Sequence, residues 1–237
     1  MPVDFEFKDA YTVSDLLRIM EILRAPGGCP WDREQDHLSI RSNFIEETYE
    51  VVEAIDNGDS DALREELGDV LLQVVFHTQM EKEKGVFDFD GVADGICKKL
   101  IERHPHVFGN VKVDGAEEVL TNWDKIKRAS KAQRTTLDAM RAVPKQMPAL
   151  MRARKIAHKA DKDLPEKPSP AAGAEELDKS WADFRASLVS GECAAQNAGK
   201  LLFLIAEACD RAGIDSEEAL YRATDGFIDG YRGKNKE

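Results

Sequence analysis

Five carboxylates stand in two short patterns, Glu46-Glu47-x-x-Glu50 and Glu66-x-x-Asp69, with Glu53 and Glu65 extending the stripes. Spacings of three and four place side chains on one face of a helix. The surrounding residues read as buried helix faces: Phe44, Ile45, Val51, Val52 and Ile55 around the first pattern, and Leu67, Val70, Leu71, Val74 and Val75 around the second. Acids seldom enter such runs without a partner. Two carboxylates about 4 Å apart repel by roughly 4 kcal/mol at an effective dielectric near 20. Facing stripes therefore call for cations or raised pKa values. A divalent ion is the simplest compensation, and all-oxygen donors suit Mg²⁺, with Mn²⁺ as the second choice. Neither segment contains Glu-x-x-His, which argues against a di-iron carboxylate bundle. The competing reading is an acid surface facing water or lysines, which carries no chemistry.

The elements that must position these acids are helices. Apolar residues at Val13, Leu16, Leu17, Met20 and Leu23 form one helical stripe, stopped by Ala25-Pro-Gly-Gly-Cys-Pro30. Ser39 or Ser42 is the expected cap of the next helix, with Glu46 near the capping-box position for Ser42; that helix ends at Asn57-Gly58. Asp59 or Ser60 opens a third, running to about Lys84. Further helices are expected over residues 90–103 and 117–131, from Pro148 to about Ala160, and two or three more to about Tyr231. Residues 164–173, with Pro165, Pro168 and Pro170, read as a loop. Alternating patterns are confined to Phe87-Asp88-Phe89 and Val111-Lys112-Val113, too short for a sheet. The fold class is all-α.

Net charge is −12 over 237 residues. That excludes nonspecific binding to nucleic acid or an anionic membrane, which needs a basic face. No apolar run approaches the ~18 residues of a membrane span, and Met1 to Tyr11 lacks the apolar centre of a signal peptide. Cys29, Cys97, Cys193 and Cys209 form no C-x-x-C pair and read as reduced thiols of a cytoplasmic protein.

The acidic patterns, together with Gly28-Cys-Pro-Trp-Asp32, Gln35, the block from Glu65 to His77, Arg103-His-Pro-His-Val-Phe108 and Trp123-x-x-Ile-Lys127, resemble the MazG-type nucleoside triphosphate pyrophosphohydrolases. The resemblance implies a helical-bundle fold and Mg²⁺-dependent hydrolysis of a nucleoside triphosphate to the monophosphate and pyrophosphate. It implies metal ligands at Glu47, Glu50, Glu66 and Asp69, with Glu46 or Glu50 as the base that activates water. Lys99 and Arg103, and the pair Trp123 and Lys127, match family positions that grip phosphate and stack a base; without the resemblance, Lys99 and Arg103 read as a solvated face. Trp31 fits either a base pocket or a buried hinge. His104 and His106 read as packing and capping residues, and His77 as structural. The resemblance also implies a homodimer, with the stripe from Leu67 to Phe76 long enough to support an interface.

The C-terminal half resembles a second, degenerate copy of the same unit, giving tandem units: a catalytic domain at 1–131, a linker with one helix at 132–170 and a second helical domain at 171–237. Aligning Gly199 with Gly68 sets Asn197 against Glu66 and Lys200 against Asp69, and Glu175-Glu176-x-x-Lys179 separately stands in place of Glu46-Glu47-x-x-Glu50. Glu176 alone remains of four ligands, so the second half is expected to be a scaffold without chemistry. The alternative for the whole chain is a noncatalytic nucleotide sensor or regulatory scaffold that keeps the fold.

Overall fold

The structure, a computed structural model, describes residues 5–130, 135–162, 164 and 170–234. Among the described residues it contains twelve helices and no strand. The chain divides into two compact units, Met1–Val113 and Asp114–Glu237.

The first unit holds α1 (Val13–Arg24), α2 (Pro30–Glu34), α3 (Arg41–Asn57), α4 (Ser60–Glu83), α5 (Phe89–Arg103) and α6 (Pro105–Phe108). The second holds α7 (Ala116–Ser130), α8 (Thr136–Arg141), α9 (Ala149–Asp161), α10 (Pro170–Ser190), α11 (Ala194–Arg211) and α12 (Ser216–Lys234). Each unit is built on a helix hairpin. In the first, α3 lies along α4, and α1 and α5 also pack on α4; in the second, α10 lies along α11, and α9 and α12 also pack on α11.

The long helices begin and end close to where the stripes and breakers place them. Three short helices, α2, α6 and α8, arise inside segments that read as connections. Pro30 and Pro105 sit in the first turns of α2 and α6, where a missing N–H costs nothing. The cap of α3 differs from expectation. Its N-cap is Ile40, without a side-chain hydrogen bond, and Ser42 lies inside the helix. Asp36 organises the entry instead, accepting from the N–H groups of Leu38 and Ser39 at 2.8 Å each. The expected loop at 164–173 lies partly outside the described residues, and α10 already begins at Pro170.

Two residues turn α3 back into α4. Gly58 ends α3 at φ +66°, and its N–H donates to the carbonyls of Ala54 and Ile55. Asp59 then caps α4, its carboxylate accepting from the N–H groups of Asp61 and Ala62 at 3.0 Å each. So short a connection forces the two helices antiparallel and side by side.

The first unit's core lies toward the far end of α4. Met20, Ile40, Val75, Phe76 and Met80 are buried together, with Leu16, Leu17, Leu71, Leu72 and Phe89 packed around them. Arg24 ties α1 to this end. Its guanidinium donates to both carboxylate oxygens of Glu83 (2.8 and 2.9 Å) and to the Gln35 carbonyl, and lies 5.3 Å from the centre of the Phe76 ring. Gly28 is required beside it, because a Cβ there would meet the Ile22 and Leu23 carbonyl oxygens at 2.3 Å. The core takes Val75 and Phe76 out of the stripe expected to support an interface. Exposed apolar surface is found on α3 instead, where Ile45, Tyr49, Val52 and Ile55 are 46–57 % exposed.

Candidate metal centre

Antiparallel pairing of α3 and α4 brings the middle of one helix against the first turns of the other. Carboxylate oxygens of Glu47, Glu66 and Asp69 come within 4.8 Å of one another, each half-buried. This is the one group of three or more His, Cys, Asp or Glu side chains among the described residues that could share an ion. Glu50 is exposed but adjacent: it contacts the Glu47 carboxyl and repels both Glu47 and Glu66.

Electrostatics at this cluster are unfavourable without a cation. Partial burial pushes the Glu47 carboxyl above its ordinary pKa, with further upward contributions from contact with Glu50 and from the charges of Asp69, Glu50 and Glu46. Partial burial also raises Glu66, followed by the charges of Glu50, Asp69, Glu65 and Glu53. Hard anionic oxygens, half-withdrawn from water and repelling one another, are the donor set that Mg²⁺ or Mn²⁺ prefers. The residues present therefore fit such an ion.

Further along α4, on the face that carries Glu66 and Asp69, stand Gln73 and His77. Gln73 is 7 % exposed, and its side-chain carbonyl oxygen has no hydrogen-bond partner among the described residues. His77 meets His37 with Nδ1 atoms 2.8 Å apart and ring planes within 11°, and the far nitrogen of His37 lies 2.6 Å from Glu81. Phe44 of α3 packs beside His77, its ring centre 5.9 Å away. Burial, then the neighbouring His37, lowers the His77 pKa. His77 thus helps to tie the α2–α3 connection to α4. The spacing Glu66, Asp69, Gln73, His77 was visible as one polar stripe on an apolar helix, but only the acids had drawn a chemical reading.

The remaining site candidates lie on several elements. Lys99 and Arg103 are one turn apart on α5; Lys99 is exposed and Arg103 is buried. Trp31 on α2 is 57 % exposed, which overturns the buried-hinge reading. Trp123 and Lys127 lie on α7, in the other compact unit, with the ammonium 4.5 Å from the indole centre. Glu46 is exposed next to the cluster. His104 caps α5 through contact of its Nδ1 with the Leu100 carbonyl at 2.6 Å, the capping role expected of it.

At the positions expected to match on α10 and α11, no group of acids that could share an ion forms among the described residues. Lys179, Lys200 and Glu176 are exposed, and the Asn197 amide donates to the Asp183 carbonyl at 3.3 Å. Charge is organised elsewhere in that unit. Arg211 on α11 grips both oxygens of buried Asp161 on α9 at 2.9 Å and reaches Glu207 at 2.6 Å. His158 meets Asp210 at 3.0 Å, with Arg154 3.9 Å from the same carboxylate.

Residues 35–108 match the MazG nucleotide pyrophosphohydrolase domain. The chain is 39 % identical over 220 residues to a nucleoside triphosphate pyrophosphohydrolase of Escherichia coli (strain K12), covering 91 % of this chain and 84 % of that protein. It is 37 % identical over 218 residues to the nucleoside triphosphate pyrophosphohydrolase/pyrophosphatase MazG of Thermotoga maritima, covering 92 % and 83 %. A nucleoside triphosphate pyrophosphohydrolase of Mycobacterium tuberculosis is 38 % identical over 150 residues, covering 62 % of this chain and 44 % of that protein.

Proposed function

Because this chain belongs to the MazG family of nucleotide pyrophosphohydrolases, we propose that it hydrolyses a nucleoside triphosphate to the monophosphate and pyrophosphate at the acids that face each other across α3 and α4. The chain is thereby an enzyme, a hydrolase. The observation that carries the site assignment is the convergence of Glu47, Glu66 and Asp69 within 4.8 Å, with Glu50 pressing on two of them.

In this reading Glu47, Glu50, Glu66 and Asp69 hold Mg²⁺, and Mn²⁺ fits the same oxygens. Such an ion, when bound, neutralises triphosphate charge and lowers the pKa of water. Glu46 and Glu50 are the carboxylates beside the cluster that can take the proton from the attacking water. The water oxygen bonds to the α-phosphorus, the bond to the bridging oxygen breaks, and pyrophosphate leaves with the electron pair. Lys99 and Arg103 supply cationic charge for the phosphates. Trp31 offers a face on which a base can stack.

The site lies in the first unit, and the second is a degenerate relative of it serving as scaffold. Exposed Ile45, Tyr49, Val52 and Ile55 on α3 support a homodimer built on the first unit. No helix among the described residues is long and apolar enough to cross a membrane. This fits the cytoplasmic location proposed for the enzyme.

Pyrophosphate release from a panel of nucleoside triphosphates with Mg²⁺, using Glu50→Gln as control, tests the reading. Mg²⁺-dependent release by the native protein, lost in the variant, supports it. No release from any nucleotide favours the noncatalytic sensor.

A further inference from the structure

Gln73 stands out because a carboxamide this deeply buried is ordinarily satisfied. Its side-chain carbonyl is shielded from solvent and meets no donor among the described residues. The register of α4 shows which face it shares. Glu66, Asp69 and Gln73 follow at i, i+3 and i+7 on one face. Side chains on a helix lean toward its N-terminus, so Gln73 inclines toward the turn that carries Asp69. On that face a buried residue with a bare acceptor follows, one turn along α4, Asp69 of a cluster that itself calls for a cation. Ionised carboxylates cannot satisfy a carbonyl, because neither group donates. Water held by a cation can, and its polarised O–H is a strong donor.

We propose that Gln73 is a positioning residue of the metal centre: its side-chain carbonyl accepts a hydrogen bond from a water ligand of the ion held by Glu47, Glu66 and Asp69. The proposal rests on the metal-site reading given above and adds a residue to it. Gln73 fixes the orientation of that water and steadies the inner side of the coordination sphere, while the acids supply the charge. Partners of this outer kind change metal affinity by about 10- to 100-fold when removed.

Titration of the metal-free protein with Mn²⁺ without nucleotide, followed by electron paramagnetic resonance of the unbound ion, tests this. Gln73→Met and Gln73→Leu keep the size and lose the acceptor; Gln73→Glu keeps an acceptor. The apolar variants are expected to weaken Mn²⁺ binding at least about 10-fold while melting, metal-free, at or above the native temperature. Gln73→Glu is expected to restore affinity. Native affinity in both apolar variants overturns the proposal. So does weaker binding matched by a lower metal-free melting temperature in both, which marks a purely structural glutamine. Asp69→Asn separates the two levels. If native protein and Asp69→Asn bind Mn²⁺ equally, or neither binds, the metal-site reading itself fails. If Asp69→Asn loses binding and Gln73→Met does not, the role of Gln73 alone fails.

Discussion

The hairpins α3–α4 and α10–α11 share a frame and handle charge in opposite ways. In each, two long helices pack side by side, and the helices before and after close on the second of the pair. On the first hairpin, the charged groups acting most strongly on Glu47 and Glu66 are other carboxylates. In the second unit, Asp161 and Glu207 meet Arg211, and Asp210 meets His158 and Arg154. One unit gathers a cluster of negative charge that could hold a metal ion. The other neutralises its acids with its own arginines, joining α9 to α11. Where charge is balanced internally it contributes to the fold; where it is left unbalanced at a half-buried site it selects a ligand.

The widest expected separation between the hairpins is catalytic. Glu66→Gln and Asp69→Asn should each lower pyrophosphate release by on the order of 10³-fold, since loss of a metal contact removes several kcal/mol of transition-state stabilisation. Lys200→Ala, at the α11 position that aligning Gly199 with Gly68 sets against Asp69, should leave the rate within about twofold. A matching loss in Lys200→Ala would mean that both hairpins take part in the chemistry.

The next effect lies in the second unit. Arg211→Met removes the bidentate partner of Asp161, which is only 8 % exposed. Breaking a buried pair costs about 3 kcal/mol, and equilibrium denaturation of the variant should show a loss of that order. Native hydrogen exchange should place it in α9 and α11. A loss spread evenly over α3 and α4 would contradict the division into two units.

Metal addition should act on the first unit. At a Mg²⁺ concentration about 100 times the dissociation constant, binding to the folded state adds about 2.7 kcal/mol of stability. Thermal melts with and without the ion should register this in the native protein and lose it in Asp69→Asn. Conversely, Glu66→Gln should raise the metal-free melting temperature above that of the native protein, because it relieves repulsion while preserving shape. A metal-free Glu66→Gln protein less stable than native would show that the acids are compensated within the fold.

Much of this arrangement was legible as spacing. The stripes of α1, α3 and α4, the stop at Gly58 and the cap at Asp59 follow from local rules, and together they bring the two acidic patterns face to face. What local rules miss is long-range. Glu46 lies near the capping-box position for Ser42, yet the chain enters α3 through Asp36, because the Arg24 and His37 contacts fix the preceding connection. Short α2, α6 and α8 carry too few residues for a periodic signal. Trp31 could not be divided between core and surface from its neighbours, since its exposure depends on where α2 lies. Gln73 and His77 share the acids' face by register, but their burial and partners depend on α3 and the α2–α3 connection.

The smallest expected difference is a response to pH. His77 is partly buried on α4 and faces His37, with Glu81, Lys84 and Phe44 around the pair. The short contact between the two Nδ1 atoms has room for one hydrogen between the rings. Lys84, then His37, lowers the Glu81 pKa, so that carboxylate stays ionised over the range in question. Burial and His37 lower the His77 pKa below its ordinary value near 6.5. Below 6.5 the unfolded chain therefore binds the proton more readily than the folded one. The contribution of His77 is complete above 6.5 and declines as pH falls toward the lowered folded value. Aligning Gly199 with Gly68 puts Ala208 at the matching place on α11, so the second hairpin has no counterpart of this pair. Melts between pH 7.5 and 5.5 should fall more steeply for the native protein than for His77→Gln, and hydrogen exchange should localise the difference to α3 and α4. Equal slopes for the two proteins would show that the pair titrates alike in the folded and unfolded chains, and the hairpins would then differ in their acids alone.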